Sequence, residues 1–197
     1  MVFFKKLFAP ARPIHSSFHI LETTRAILLR KIRFSDTSLI ITWLTCNHGK
    51  IKTVAKGALR PKGPFAGILD LFFDCEISFA RSSKTELHTL REARLCHTRD
   101  SLRHDYPRLA LASYFIELLE FATEHDHPAP ELYDLLTRAL THLDEKPATQ
   151  HALLHFEREL NRLLGIAQPE TTPIIAFARA HHRIPTTRAG LLKILSD

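Results

Sequence analysis

The chain has 197 residues and a formal net charge of +6, with 45% hydrophobic and 24% charged residues, a balance that excludes an intrinsically disordered protein. Its three cysteines, Cys46, Cys75 and Cys96, are too few and too widely spaced for a disulfide framework or a C-x-x-C zinc site. This cysteine usage leads us to expect a reducing, cytoplasmic location. No run of about 18 apolar residues occurs, so we expect no membrane-spanning segment.

The start of the chain is basic and rich in proline. Its apolar stretch weakly resembles a secretory signal, but Pro10, Arg12 and Pro13 interrupt that stretch well below the usual length. We therefore expect residues 1–21 to form a basic, poorly ordered lead-in.

Charge is distributed unevenly along the chain. Residues 1–100 hold 17 Lys and Arg against 8 Asp and Glu (+9), whereas residues 101–197 hold 10 against 13 (−3). Basic side chains concentrate in residues 25–62, where Asp36 is the single acid. Such a density is typical of a surface that binds a polyanion. We expect the first half to bind a polyanion and the second half to contact proteins.

Short apolar segments separated by turn signals dominate the first half of the chain. The candidate strands are residues 25–33, 38–45, 50–56, 71–79 and 86–95. Asn47-His48-Gly49 is typical of a hairpin turn and joins the second strand to the third. Five such strands predict a small β-barrel over residues 22–98.

The third candidate strand and the loop after it carry the densest positive charge. Side chains alternate along a strand, so Lys50, Lys52 and Lys56 share one face. Arg60 and Lys62 follow in a loop that glycines and prolines shape. Long cations on such a loop are suited to binding phosphate.

Two aromatic side chains lie near these cations in the sequence. Phe65 offers a flat face on which a nucleobase can stack. Trp43 shares its strand face with Leu39 and Ile41, so we expect it in the core.

The apolar spacing becomes helical after residue 100. Asp105 can cap a helix that has Pro107 in its first turn, and Thr149 can cap another. Apolar residues three and four apart predict three main helices, followed by two short ones at residues 174–181 and 188–195. The expected fold is α+β, with a five-stranded barrel followed by an α-helical bundle over residues 99–197.

A series of short motifs follows a fixed order along residues 22–165. The motifs are Thr24-Arg-Ala-Ile-Leu-Leu-Arg30, Phe34-Ser-Asp-Thr-Ser-Leu-Ile40, His48-Gly-Lys-Ile51, Val54-Ala-Lys-Gly-Ala58 with Arg60-Pro-Lys62, Glu86-Leu-His-Thr-Leu90, Ala112-Ser-Tyr-Phe115 and Pro130-Glu-Leu-Tyr-Asp-Leu-Leu136. Their order and spacing resemble those of the RecO family of bacterial DNA repair proteins.

The resemblance implies an OB-fold barrel and a helical domain in a nucleoid-associated protein without enzymatic turnover or a cofactor. Family members bind single- and double-stranded DNA, anneal complementary strands and, with RecR, help RecA load onto single strands coated by the protein SSB. The acidic, aromatic C-terminal tail of SSB docks on the helical domain, where Arg108, Arg158 and Arg162 are candidate cations. With the charge pattern, the candidate DNA-binding residues are Arg25, Arg30, Lys31, Arg33, Lys50, Lys52, Lys56, Arg60, Lys62 and Phe65.

The chain departs from the family in two places. Many members have two adjacent cations in the basic loop, where this chain has Leu59 and Arg60. Many also carry a four-cysteine zinc motif after the third helix, whereas residues 166–197 contain no cysteine. We therefore expect a weaker phosphate contact in the loop and no zinc ribbon in this segment.

The residues of the sequence are also compatible with two other functions. An OB-fold that binds RNA has the same composition, because phosphate contact and base stacking serve both polymers. The thirteen histidines, including His151 and His155 at helical spacing, suggest a metallohydrolase. The segment between these two histidines lacks the glutamate of an H-E-x-x-H motif, which disfavours this alternative.

Overall fold

The computed structural model of the chain describes residues 21–196. The strands are β1 (Leu21–Arg33), β2 (Leu39–Thr45), β3 (Gly49–Ala55), β4 (Asp74–Ala80) and β5 (Leu87–His97). The helices are α1 (Ser101–His104), α2 (Tyr106–Ala122), α3 (Pro130–Glu145), α4 (Gln150–Leu163), α5 (Pro173–His181) and α6 (Arg188–Ile194). The predicted lead-in lies outside the described residues except for Leu21, which begins β1.

The five strands close into a barrel in the order β1-β2-β3-β5-β4. Neighbouring strands are antiparallel except β3 and β5, which run parallel. Thr45 pairs with Gly49 across the turn between β2 and β3, which confirms the predicted hairpin. Because the helices follow the closed barrel along the chain, the predicted α+β architecture of an OB-fold and a helical part is confirmed.

Apolar side chains from alternating strand positions fill the barrel interior. Trp43 lies at its centre with no exposed surface, among residues such as Ile41 and Ile51. Its indole Nε1 donates a hydrogen bond to Oγ1 of Thr53 at 2.9 Å, so the polar end of the ring is satisfied. The prediction that Trp43 belongs to the core is confirmed.

The helical part is built around α2, which buries side chains on most of its surface. The side chains of Asp105 and Thr149 each accept a hydrogen bond from a backbone N–H of the helix that they cap, which confirms both predicted caps. Phe115 of α2 stacks on Phe156 of α4 with ring centroids 3.9 Å apart. Among the described residues, each helix is too short or too polar to cross a lipid bilayer.

One outer face of the barrel packs against the helices. Ile27, Leu29 and Leu44 belong to the same buried cluster as the apolar residues of α2 and α3. Ala26 and Leu28, which alternate with them along β1, point into the barrel. Residues 26–29 of β1 are therefore buried on both faces, and the helices cover this part of the barrel's outer surface.

Candidate nucleic-acid interface

The strand register places basic side chains of β1 and β3 in one row on the outer surface of the barrel, next to the part that the helices cover. Arg30 lies opposite Thr42 of β2, and Thr42 lies opposite Lys52 of β3. Directly opposed residues of antiparallel strands share a face, so Arg30 and Lys52 lie on the same surface. The chain then continues from β3 to Lys56, which is exposed.

The loop between β3 and β4 extends this basic surface. Lys56, Arg60 and Lys62 line an open groove of about 560 Å³ that also borders the turn between β1 and β2. The backbone N–H of Leu59 donates a hydrogen bond to the carbonyl oxygen of Thr37 in that turn, at 3.0 Å. The loop is therefore tied to the turn, and the three cations converge on one groove.

Two glycines give the loop its tight shape. Gly57 has a φ of +73°, a conformation that favours glycine. A Cβ on Gly63 would lie 2.4 Å from the carbonyl oxygen of Gly57, so a side chain there would push the loop apart. The backbone N–H of Gly63 also donates to the carbonyl oxygen of Arg60 at 2.9 Å. The placement of the cations therefore depends on the glycines between them.

Lys52 and the three loop cations have no acidic partner in the described part of the chain. Lys52 is half-buried, whereas Lys56, Arg60 and Lys62 are exposed. Within residues 21–196 none of the four forms an ion pair. Their charge is therefore available to an anionic ligand.

Arg30 and Arg33 are partly available. Nη2 of Arg30 lies 2.7 Å from Oε2 of Glu120 on α2, and Nη2 of Arg33 lies 3.3 Å from Oδ1 of Asp36. Both arginine side chains remain more than half exposed, at 57% and 68%. Exposed ion pairs of this kind contribute little and can exchange partners when a polyanion approaches.

The expectation that Lys50 is accessible beside Lys52 is wrong. Lys50 is 7% exposed, and its Nζ donates a hydrogen bond to the backbone oxygen of Glu120 at 2.8 Å. The register explains this, because Lys50 lies opposite Leu44, on the part of the outer surface that the helices cover. Burial lowers the pKa of Lys50. Alternation correctly gives Lys50 and Lys52 a common face but does not show where the helices end.

The expectation that Phe65 offers a surface for stacking is also wrong. Phe65 is 4% exposed and packs in the barrel core with Trp43 and Phe73. The loop after β3 folds back over the end of the barrel, so an apolar side chain inside it fills the core instead of facing solvent.

Arg25 and Lys31 lie away from the groove and form their own ion pairs. Nη2 of Arg25 is 2.5 Å from Oδ2 of buried Asp74, on the side of the barrel where β1 pairs with β4. Nζ of Lys31 is 2.6 Å from Oδ1 of Asp70, whose other oxygen contacts Arg103. These two cations therefore stabilise contacts within the chain.

Phe34 is a groove residue that the sequence reasoning missed. It follows β1 directly, lines the same groove as Lys56 and is 59% exposed. The signal in the sequence is the setting of Phe34, which lies between Arg33 and Ser35 at the start of a polar turn.

A second groove lies among α2, α3 and α4 and has a volume of about 620 Å³. Phe115 and Phe156 form part of its apolar floor, and Arg138 and Lys146 are among the residues that line it. Among the described residues, those that line this groove include three histidines but no Asp or Glu. The candidate cations Arg108, Arg158 and Arg162 do not line this groove.

His151 and His155 lie on the edge of this second groove. Their rings stack with centroids 6.5 Å apart. Within residues 21–196, no three His, Cys, Asp or Glu side chains are arranged to hold a metal ion. The geometry therefore gives no support to the metallohydrolase alternative.

Comparisons with known proteins agree with the motifs in both halves of the chain. The family model described as Recombination protein O N terminal matches residues 20–99, and the one described as Recombination protein O C terminal matches residues 103–171.

Curated relatives named DNA repair protein RecO match across both parts. The Rhodopirellula baltica protein is 38% identical over 140 residues, covering 71% of this chain and 52% of the relative. The Bacillus pumilus protein is 32% identical over 77% of this chain and 58% of the relative. The Listeria monocytogenes protein is 30% identical over 87% of this chain and 67% of the relative. The chain thus spans about half to two thirds of the length of these relatives, and it belongs to the RecO family of DNA repair proteins.

Proposed function

We propose that the chain is a DNA-binding recombination mediator that acts without catalytic turnover. It binds single- and double-stranded DNA through the row formed by Arg30 and Lys52 and through the groove lined by the three loop cations. The observation that carries this proposal is the convergence of Lys56, Arg60 and Lys62, free of acidic partners in the described residues, on one open groove.

Annealing follows from charge screening on this surface. Two complementary strands repel each other through their phosphates, and a surface that contacts both phosphate chains lowers this repulsion. Condensed counterions released from the DNA supply the free energy of binding, so no nucleotide hydrolysis is required.

The helical part serves protein contacts in this proposal. An acidic peptide with an aromatic side chain suits the second groove, because the groove has an apolar floor at Phe115 and Phe156 and lining cations at Arg138 and Lys146. The absence of Asp and Glu from its lining favours an anionic occupant. We assign the C-terminal tail of SSB to this groove. We further propose that the chain acts with RecR, contributes indirectly to the loading of RecA, and works in the cytoplasm in association with the nucleoid; its membership of the family supports this proposal.

A strand-annealing assay on SSB-coated complementary oligonucleotides, with and without RecR, tests the proposal. The combined variant Lys56→Gln, Arg60→Gln and Lys62→Gln should lose annealing. The matched control changes three exposed cations elsewhere, Lys84, Arg91 and Lys193, to Gln, with the same change in net charge.

The control protein should anneal like the wild type. Annealing by the loop variant at the wild-type rate would refute the proposed DNA surface. Competition by unlabelled RNA that exceeds competition by the same DNA sequence would favour the RNA-binding alternative.

A further inference from the structure

The groove contains an apolar feature that phosphate contact does not use. Phe34 is 59% exposed and is the one exposed phenylalanine among the described residues. It lines the groove together with Lys56, Arg60 and Lys62. What distinguishes Phe34 from other exposed apolar residues is this position, because the groove offers a ligand a flat apolar ring and three cations together.

The backbone holds Phe34 in place without help from the ring. The N–H of Phe34 donates to the carbonyl oxygen of Ser38 at 2.9 Å, and the N–H of Ser35 donates to the same oxygen at 3.3 Å. The turn is joined to the basic loop through Leu59 and Thr37, at 3.0 Å. The backbone that carries the ring is therefore held next to the backbone that carries the loop cations.

A nucleotide has the chemistry that this arrangement fits. Its phosphate is an anion for the loop cations, and its base has a flat face that stacks on aromatic rings. Bases in a duplex are already stacked and paired, whereas bases of a single strand can turn outward and expose that face.

We propose that Phe34 stacks on a nucleobase of single-stranded DNA and gives the groove a preference for single strands over duplex. This inference rests on the proposed function, because it assumes that the groove binds DNA. The cations supply affinity for both forms of DNA, and Phe34 adds affinity for the form with free bases.

Equilibrium binding of the full chain to three labelled probes tests this role. The probes are an oligothymidine of about 20 nucleotides, a duplex of equal length, and an abasic strand that keeps the phosphates but lacks bases. Phe34→Ala should weaken oligothymidine binding about 30-fold, the middle of the range for one stacked base, and leave the other two affinities unchanged. Tyr106→Ala, which removes an exposed aromatic ring from α2, is the matched control and should change none of the three affinities.

Phe34→Trp gives a direct readout of stacking. Trp43 is buried in the barrel, so its fluorescence should stay constant, and the introduced indole should be quenched by oligothymidine but not by the abasic strand. Binding of oligothymidine should remain at the wild-type level, because the indole ring also stacks on bases.

The outcomes separate this inference from the proposed function. If Phe34→Ala binds oligothymidine as the wild type does, or loses affinity equally for all three probes, the stacking role is wrong. If the charge variant of the loop loses binding in the same experiment, the proposed DNA surface still stands. If the charge variant also binds all probes normally, the proposed function fails as well. Urea unfolding of Phe34→Ala with a wild-type midpoint establishes that the fold is intact.

Discussion

Replacing the three loop cations together, by Lys56→Gln, Arg60→Gln and Lys62→Gln, should remove most of the salt dependence of DNA binding. With Lys52, the described residues contribute four cations without acidic partners to this surface. Each phosphate contact to a single strand gives a slope of about −0.7 in log affinity against log salt, so the three loop cations contribute about −2.1. Between about 50 and about 200 mM salt, the affinity of the wild type should therefore fall by a factor about 18 times larger than that of the variant.

Fluorescence anisotropy of a labelled oligothymidine, titrated at several salt concentrations, measures both slopes. Lys31→Gln is the matched control, because Lys31 belongs to the same basic segment but is paired with Asp70 away from the groove. Its slope should equal that of the wild type. A triple variant with an unchanged slope, or a Lys31 variant with an equally reduced one, would refute the assignment of the phosphate contacts to the loop.

Three further predictions concern the stability of the scaffold. Gly49 has a φ of +67° and a Cβ there would lie 1.8 Å from a backbone oxygen of the segment between α2 and α3, so Gly49→Ala should cost about 2–4 kcal/mol in urea unfolding, and a cost below about 0.5 kcal/mol would contradict this. Arg188→Ala removes both guanidinium hydrogen bonds to Glu157, which is 2% exposed, and should cost about 3–5 kcal/mol. Adding Glu157→Gln to that variant should recover part of the lost stability, because it removes the buried charge that Arg188 no longer neutralises. If no stability is recovered, the unpaired Glu157 carboxylate is not the cause of the loss. The hydrogen bond from Arg81 lowers the pKa of Glu22. The stability that this pair gives the folded protein is therefore complete above the ordinary pKa of 4.5, and it is lost as the pH falls through the lower pKa of the folded state. Arg81→Met should reduce this loss of unfolding free energy at acid pH. An unchanged loss would show that the Arg81–Glu22 pair does not cause it.

Features that depend only on residues close together in the chain could be predicted from the sequence. Asp105 and Thr149 cap helices because each cap needs only a side-chain oxygen and a backbone N–H a few residues later. Trp43 could be assigned to the core because it alternates with apolar residues on one strand face. The hairpin at Gly49 carries its own turn signal.

Accessibility could not be predicted in the same way. Alternation places Lys50 and Lys52 on one face, but only the packed structure shows that the helices cover Lys50 and leave Lys52 half-buried. Phe65 illustrates the converse, because a loop that looks exposed in the sequence returns an aromatic ring to the core. Both errors arise from contacts between segments far apart in the chain.

Those long-range contacts also decide how much of the positive charge can reach DNA. Residues 25–62 contain nine cations and one acid. Three of these cations nevertheless form ion pairs with carboxylates outside the segment: Arg25 with Asp74, Lys31 with Asp70 and Arg30 with Glu120. The cations of this segment that have no carboxylate partner within residues 21–196 lie on β3 and in the loop after it. DNA affinity should therefore be more sensitive to the backbone shape of this loop than to the total charge of the barrel. A substitution at Gly63 that keeps every cation, such as Gly63→Ala, should weaken DNA binding because the added Cβ would displace the loop.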